Sequence, residues 1–453
     1  MTPPQDEAAT HLHGGRRALA IAAVLSALVL VVLDSAITNV ALPTIARVLH
    51  ASPAASVWII TGYQSALVMA LLPSAALGDS LGHRRVFTAG VIIFVAASGL
   101  CAVSPSITWL IAARFVQGLG GAALMALGVA LLRFAVPHHR IAAAISWNAM
   151  VVALSAAAGP TIGAAILAAT SWPWLFAVNL PIGLLVLLAS RALPDVTGSS
   201  RPLDLLSAAL NAAAFASFVI GAELLPASAA MAAVLLGAAT LLMVALVRRE
   251  MPREAPLIPL DLLRSHSFRI SVTASVLCFS GMTTALVALP FYLQHGLGQN
   301  AWTTGLYLTP WPLTVAIAAP VTGRLANQAS SAWLCASGGV LLALGLLAAA
   351  FWPLHGNPQP LAWCTMVCGL GFGLFQVPNN RNMLLSAPRA RSGAAGGMQG
   401  TARLTGQTLG AILMTLLFTM TSLAAAPRIG LGIAALLALA AGLTSTLRAG
   451  RTM

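Results

Sequence analysis

The chain contains no lysine, only ten acids and only three tyrosines in 453 residues. Charged residues make up 7 % of it, against about 25 % in soluble chains. That shortage excludes a soluble globular protein. All 23 basic residues are arginine, which, with the alanine bias, reads as genome composition rather than mechanism. The net charge of +13 would suggest nucleic acid if it clustered on a soluble face. Here the arginines sit in short links between apolar runs, so no nucleic-acid partner is expected. The five cysteines all lie within apolar runs. Cys364 and Cys368 share a helix face, but no histidine or acid stands near them to complete a metal site. The nine histidines fall in tails or links, and no phosphate loop or serine-hydrolase elbow is present. An enzyme is therefore not expected, nor is a metal or a cofactor. No cleavable signal peptide is expected, because the first apolar run is too long for one and ends in polar Thr38 and Asn39.

What the chain has in abundance is apolar length: 59 % of its residues are hydrophobic, and its mean hydropathy is +0.90. The pattern predicts an all-α membrane protein of about fourteen spans. They fall near 17–40, 56–78, 86–104, 107–132, 141–168, 174–191, 204–224, 228–247, 268–294, 302–323, 332–353, 361–384, 396–421 and 428–447. Threading these spans collects 19 arginines on one side, among them Arg84, Arg85, Arg248, Arg249, Arg324 and Arg448. Only Arg47 and Arg428 fall on the other. By the positive-inside rule the first side, with both termini, is cytoplasmic. The link from Arg248 to Arg269 is read as a cytoplasmic connector with a surface helix near Leu257–Leu263, and the N-terminal tail as polar and unstructured.

Inside the first run sits Asp34. An acid at the centre of a membrane helix costs about 2.5–3.5 kcal/mol, so it needs a partner, a wet cavity or a proton. Either it locks helices together permanently or it titrates during transport. Glu223 is the one other acid near the middle or end of an apolar run. In the fourth run Arg114, Gln117, Gly118 and Gly121 share one helix face, and Arg114 is the most plausible opposite charge for Asp34. After the second run Leu77-Gly-Asp-Ser-Leu-Gly-His-Arg-Arg85 packs an acid, a glycine turn and two arginines into a short link. Such a cluster can latch one side of the bundle. In the fifth run Ser155, Gly159 and Gly163 form a small-residue stripe, and Pro160 interrupts the backbone ladder.

Taken together, Leu33-Asp-Ser-Ala-Ile-Thr-Asn-Val-Ala-Leu-Pro43, the Leu77–Arg85 link, Arg114-Phe-Val-Gln-Gly-Leu-Gly-Gly121, Gly159-Pro-Thr-Ile-Gly163 and Ser171-Trp-Pro-Trp-Leu-Phe-Ala-Val-Asn-Leu-Pro-Ile-Gly183 resemble successive signatures of the major facilitator superfamily. More narrowly they resemble its fourteen-helix drug:proton antiporters. Leu289-Pro-Phe-Tyr-Leu-Gln294 and Gly305-Leu-Tyr-Leu-Thr-Pro310 match the same group. The resemblance implies proton coupling at Asp34 with Arg114 beside it. It implies a cytoplasmic gate at Asp79, Gly82, Arg84 and Arg85, and an antiporter-type motif at Gly159, Pro160 and Gly163. The chain departs from the family pattern at Ala75, Ser80 and His83 in the link, at Ala153 and Ser155 in the fifth run, and at Pro173 between the two tryptophans. The tenth run lacks the acid that some exporters of dicationic compounds carry.

The resemblance also implies two pseudo-symmetric six-helix bundles with two intervening helices. The corresponding division is a tail at 1–16, a bundle at 17–191, extra helices and connector at 192–267, a second bundle at 268–447 and a tail at 448–453. Leu77-Gly-Asp79 and Leu325-Ala-Asn327 form a faint echo between the bundles. Such repeats place a binding site near the midplane, where they meet. Candidate lining residues are Tyr63, Gln64, Trp147, Asn148, Tyr292, Gln294, Tyr307, Trp311, Phe375 and Gln376, because aromatic and amide groups in an apolar cavity suit lipophilic ligands. The expected protein is a monomeric inner-membrane transporter that exports lipophilic or monocationic drugs or toxic metabolites in exchange for protons. Its partners are the small-molecule substrate, protons and the lipid bilayer. Two alternatives stay open: a proton symporter importing a small metabolite, and a non-transporting membrane sensor or scaffold.

Overall fold

The computed structural model describes residues 14–137, 141–195, 204–251, 260–351, 359–388 and 391–448. The tail before Gly14, the residues after Arg448, and Arg140, Arg201, Arg253 and Arg389 lie outside these ranges, as do 257–259 of the expected surface helix. Of that helix, a single short 3₁₀ turn is described, Leu260–Arg264.

Every element described is helical. The chain runs through α1 (Gly14–Val48), α2 (Pro53–Leu81), α3 (His83–Ala102), α4 (Ile107–Ala135), α5 (Ile141–Ala169), α6 (Trp174–Ala177) and α7 (Asn179–Ala189). It continues through α8 (Leu205–Glu223), α9 (Ala229–Glu250), α10 (His266–Phe291), α11 (Ala301–Leu308) and α12 (Pro310–Leu325). The last four are α13 (Ser331–Phe351), α14 (Gln359–Leu385), α15 (Ser392–Met420) and α16 (Ala426–Thr446). The starts are encoded locally by side-chain caps that accept otherwise orphaned backbone N–H groups. Ser52 accepts from Ala55, Ser106 from Trp109, Asp204 from Ser207, and Asn300 from Thr303. Gly82, at φ 98°, makes the tight turn between α2 and α3 in the left-handed region that a side chain would resist.

Twelve of the described segments are long and apolar enough to cross a membrane. Two expected spans fall outside that set. The run at 302–323 is two short helices, because Pro310 has no N–H to continue α11 and instead opens α12. α15 is long enough, but Gln399, Arg403 and Gln407 make it more polar. The run at 174–191 is likewise broken, between α6 and α7.

Two groups, α1–α7 and α10–α16, repeat one pattern of neighbours. In the first, α4 packs on α2 and α3, and α1 packs on α5 and α7. In the second, α14 packs on α12 and α13, and α10 on α15 and α16. The groups meet along α2–α15, α5–α11, α5–α12 and α1–α10. The hairpin α8–α9 attaches where α2 meets α15, and the Asn211 side chain donates to the Met69 carbonyl at 3.0 Å.

At the end remote from the arginine-rich links, residues of α1, α2, α4 and α6 share one continuous apolar core with α10, α11, α12 and α14. Gln294 Nε2 there donates to the Val40 carbonyl at 3.2 Å, and the Thr161 and Thr309 hydroxyls lie 2.5 Å apart. Toward the arginine-rich end a core around Phe87, Phe94 and Leu127 takes in Leu404 of α15, and a smaller one in the second group surrounds Phe268 and Met383.

Candidate functional site

A carboxylate buried in an apolar bundle must be neutralised by charge and hydrogen bonds together, and Asp34 has both. It is 1 % exposed and Arg114 equally so. Arg114 Nη1 donates to Asp34 Oδ2. Asp34 Oδ1 accepts from Gln117 Nε2 at 3.0 Å and from Asn179 Nδ2 at 2.7 Å. The acid on α1 is thus gripped by α4 and by the start of α7.

The shell beyond is also satisfied. Gln117 Oε1 accepts from Arg114 Nη1 at 2.6 Å, and Gln117 Nε2 donates to Ser98 Oγ at 2.8 Å. Arg114 Nε donates to the Ile59 carbonyl at 3.3 Å. The guanidinium carbon lies 4.1 Å from the centroid of the Tyr63 ring and 5.5 Å from that of Phe176, near enough for cation–π attraction. Arg114 is therefore enclosed between a carboxylate and an aromatic face, with no route to water except by rearrangement of helices.

Small residues set that geometry. A Cβ on Gly118 would strike the Tyr63 carbonyl, and one on Gly121 would lie 3.1 Å from the Tyr63 hydroxyl. The spacing that places Arg114 and Gln117 toward Asp34 therefore also brings α4 onto α2. A Cβ on Gly159 would overlap that of Ala36, and one on Gly163 would lie 3.2 Å from Ile37 Cα. On the other side of α5, a Cβ on Gly305 would come within 2.6 Å of the Pro160 carbonyl. The Gly159-Pro160-Gly163 stretch holds α1 within two or three residues of Asp34 while α11 presses on the same segment.

The link after α2 makes contacts within the first group. Asp79 reaches His83 at 3.3 Å, and His83 meets the Phe134 ring edge-on at 5.4 Å. Arg84 reaches Asp195 at 4.0 Å. Gly82 is buried and Arg85 exposed.

The expected substrate residues are dispersed. Tyr63 belongs to the ion-pair shell. Gln64 and Asn148 each carry a buried amide oxygen with no hydrogen-bond partner among the described residues. Tyr292, Trp311 and Phe375 are buried in the shared core, where the Phe375 backbone lies against α13. The Tyr307 carbonyl accepts from Thr365, and Gln376 is half-buried. Trp147 is 56 % exposed. Gln294 lines a depression of about 560 Å³ at the remote end, with Arg47, His295 and Trp302. A second, apolar groove of about 400 Å³ runs along α12 and α14 beside Trp363. Neither contains Asp34.

Sequence reasoning passed over Asn179 and Ser98 as ligands of the site; an amide in an otherwise apolar helix was the available signal for Asn179. It also gave no role to Arg403, half-buried on α15 with no hydrogen bond or ion pair among the described residues.

A bundle of apolar helices built from two similarly packed groups, with a buried ion pair beside their joint, is the architecture of a membrane transport protein. Residues 24–411 match the Major Facilitator Superfamily, and the chain belongs to it. It is 43 % identical over 405 residues to the uncharacterized transporter YebQ of Escherichia coli K12, covering 88 % of each chain. It is 30 % identical to the tetracenomycin C resistance and export protein of Streptomyces glaucescens, over 89 % of this chain and 76 % of that protein. It is 28 % identical to the riboflavin transporter RibZ of Clostridioides difficile, over 85 % of each.

Proposed function

We propose that the protein exports lipophilic or monocationic compounds in exchange for protons, as a fourteen-span antiporter with both termini on the cytoplasmic side of the inner membrane. Residues 17–191 and 268–447 act as the two moving bundles, and 192–267 carries the extra helices and connector. In this reading α11–α12 and α15 complete the fourteen spans, and the protein works as a monomer.

The single observation that carries the reading is Asp34, a fully buried carboxylate whose one charge partner among the described residues is an arginine on another helix. In this conformation Arg114, Gln117 and Asn179 stabilise the charged form. If α1 moves relative to α4, that support is lost and the acid takes a proton. Substrate and proton then favour different states of one bistable bundle. The shared core at the remote end suits a state closed to the outside. Gln64 and Asn148, with unsatisfied buried oxygens, are the amides best placed to meet a substrate donor. Asp79, Gly82, Arg84 and Arg85 act as the cytoplasmic latch. Moving one charge through 100 mV supplies about 2.3 kcal/mol, which sustains a substantial gradient.

The test is accumulation of a lipophilic dye by inverted vesicles that acidify their interior. Vesicles containing the protein should accumulate dye beyond empty ones, and nigericin should abolish the excess. No excess across a panel of dyes overturns the reading. The similarity to a riboflavin transporter favours a second reading, uptake of a small metabolite with protons. It requires flux in the opposite direction.

A further inference from the structure

Glu223 ends α8, and both its carboxyl oxygens are buried with no close hydrogen-bond partner among the described residues. Its surroundings are apolar and come from several helices. Val219 and Ala222 of α8 pack with Ile412 of α15, and Trp58 of α2, Leu236 of α9 and Leu416 of α15 close over them. The Thr415 hydroxyl lies beside the acid as its one nearby donor among the described residues, and it is shared with the Ala411 carbonyl at 3.4 Å. The site therefore stands where the extra hairpin caps the α2–α15 joint.

No cation faces it among the described residues. On α15 the nearest charge is Arg403, twelve residues from Thr415, about 18 Å along the axis at 1.5 Å per residue. On α9 the charges are Arg248, Arg249 and Glu250, at least twelve residues from Leu236 and so about 18 Å away. On α2 the charge is Asp79, near the opposite end from Trp58, and the titratable Tyr63 is engaged with Arg114. On α8 itself the other acid is the cap, Asp204, at the far end of the helix. A carboxylate buried with no cation and one shared hydroxyl beside it is costlier than the neutral acid, which needs only a proton.

We propose that Glu223 is a second proton-binding site, separate from Asp34, which holds its proton while the α2–α15 joint is packed as seen here and exchanges it when that joint rearranges. Asp34 has an arginine and two amides on its oxygens, whereas Glu223 is buried with no cation beside it among the described residues. The ligand is the proton itself, and the site gives the α8–α9 hairpin a part in energy coupling. The proposal rests on the proton-exchange reading for its role in transport, but the protonation state can be read without transport.

The experiment is infrared spectroscopy of the purified, lipid-reconstituted protein at neutral pH. The parent should show a protonated-carboxyl carbonyl band that shifts in heavy water. Asp34→Asn should keep that band and Glu223→Gln should lose it. If Glu223→Gln fails to accumulate, Glu223→Asp should move the same band. A parent spectrum whose band is unchanged in the Glu223 variant overturns the proposal. Dye flux measured on the same preparations separates this from failure of the exporter reading: flux can fail with the band present, and the band can be missing with flux intact.

Discussion

Arg114 Nη1 donates to Asp34 Oδ2 while the same guanidinium lies against the Tyr63 ring, 4.1 Å from its centroid. The two charges are each about 1 % exposed, so neither has water to fall back on. Removing one therefore strands the other. Arg114→Ala should destabilise this conformation by about 3–5 kcal/mol, the usual cost of breaking a buried pair. The double variant Asp34→Asn/Arg114→Gln should recover part of that loss. Thermal unfolding in one detergent checks both, and equal instability of single and double variants contradicts the coupling.

The seam between α5 and α1 tolerates no side chain at Gly159, where a Cβ would overlap that of Ala36. Overpacking of this kind costs about 1–3 kcal/mol. Gly159→Ala should lower stability by that order and reduce dye flux more than expression. Gly237→Ala, where the added Cβ meets nothing within 4 Å, is the control. A flux in Gly159→Ala equal to that control would show that the seam is not needed.

Gly82 adopts φ 98° between α2 and α3. A side chain there is strained by about 1–2 kcal/mol. Gly82→Ala should be destabilised by that amount, as chemical denaturation in detergent will show. The neighbouring Arg84–Asp195 contact is 4.0 Å long and partly exposed. Arg84→Ala should change stability by less than about 1 kcal/mol. Its effect on flux should be the larger one if the link acts as a latch.

The remote-end joint brings the Thr161 and Thr309 hydroxyls to 2.5 Å. Cysteines at these positions, in a background without native cysteines, should form a disulfide under mild oxidation. Alternating access then requires that the crosslink stop dye flux and that a reductant restore it. Unchanged flux in the crosslinked protein would mean that this joint does not open.

Much of this architecture is legible in the sequence because a bilayer permits few solutions. Apolar runs long enough to span gave helices within about three residues of α2–α5 and α8–α9, whereas α1 continues eight residues past the expected end at Val40. The break at Pro310 was harder to read, since a proline inside an apolar run is compatible with a bent helix as well as with two short ones. Asp34 and Arg114 were legible as a pair because a charge in an apolar helix demands an opposite. Asn179 and Ser98 were not, because their role depends on α7 and α3 being brought to α1 by packing that no local spacing records. The lining of a binding site was least legible: an aromatic residue such as Phe375 or Tyr292 has the same pattern whether it meets a ligand or the core.

Whether Asp34 gives up a proton to substrate is measured most directly by proton release from purified protein in weakly buffered detergent solution. The Glu223→Gln background removes the second acid, and the probe is a dye that the vesicles accumulate. Adding dye should release protons from this protein at a pH where Asp34 is protonated in the substrate-free state. The further change Asp34→Asn should abolish the release while leaving the protein folded. Equal proton release with asparagine at position 34 would contradict proton exchange at Asp34 and leave its ion pair with Arg114 a fixed structural lock.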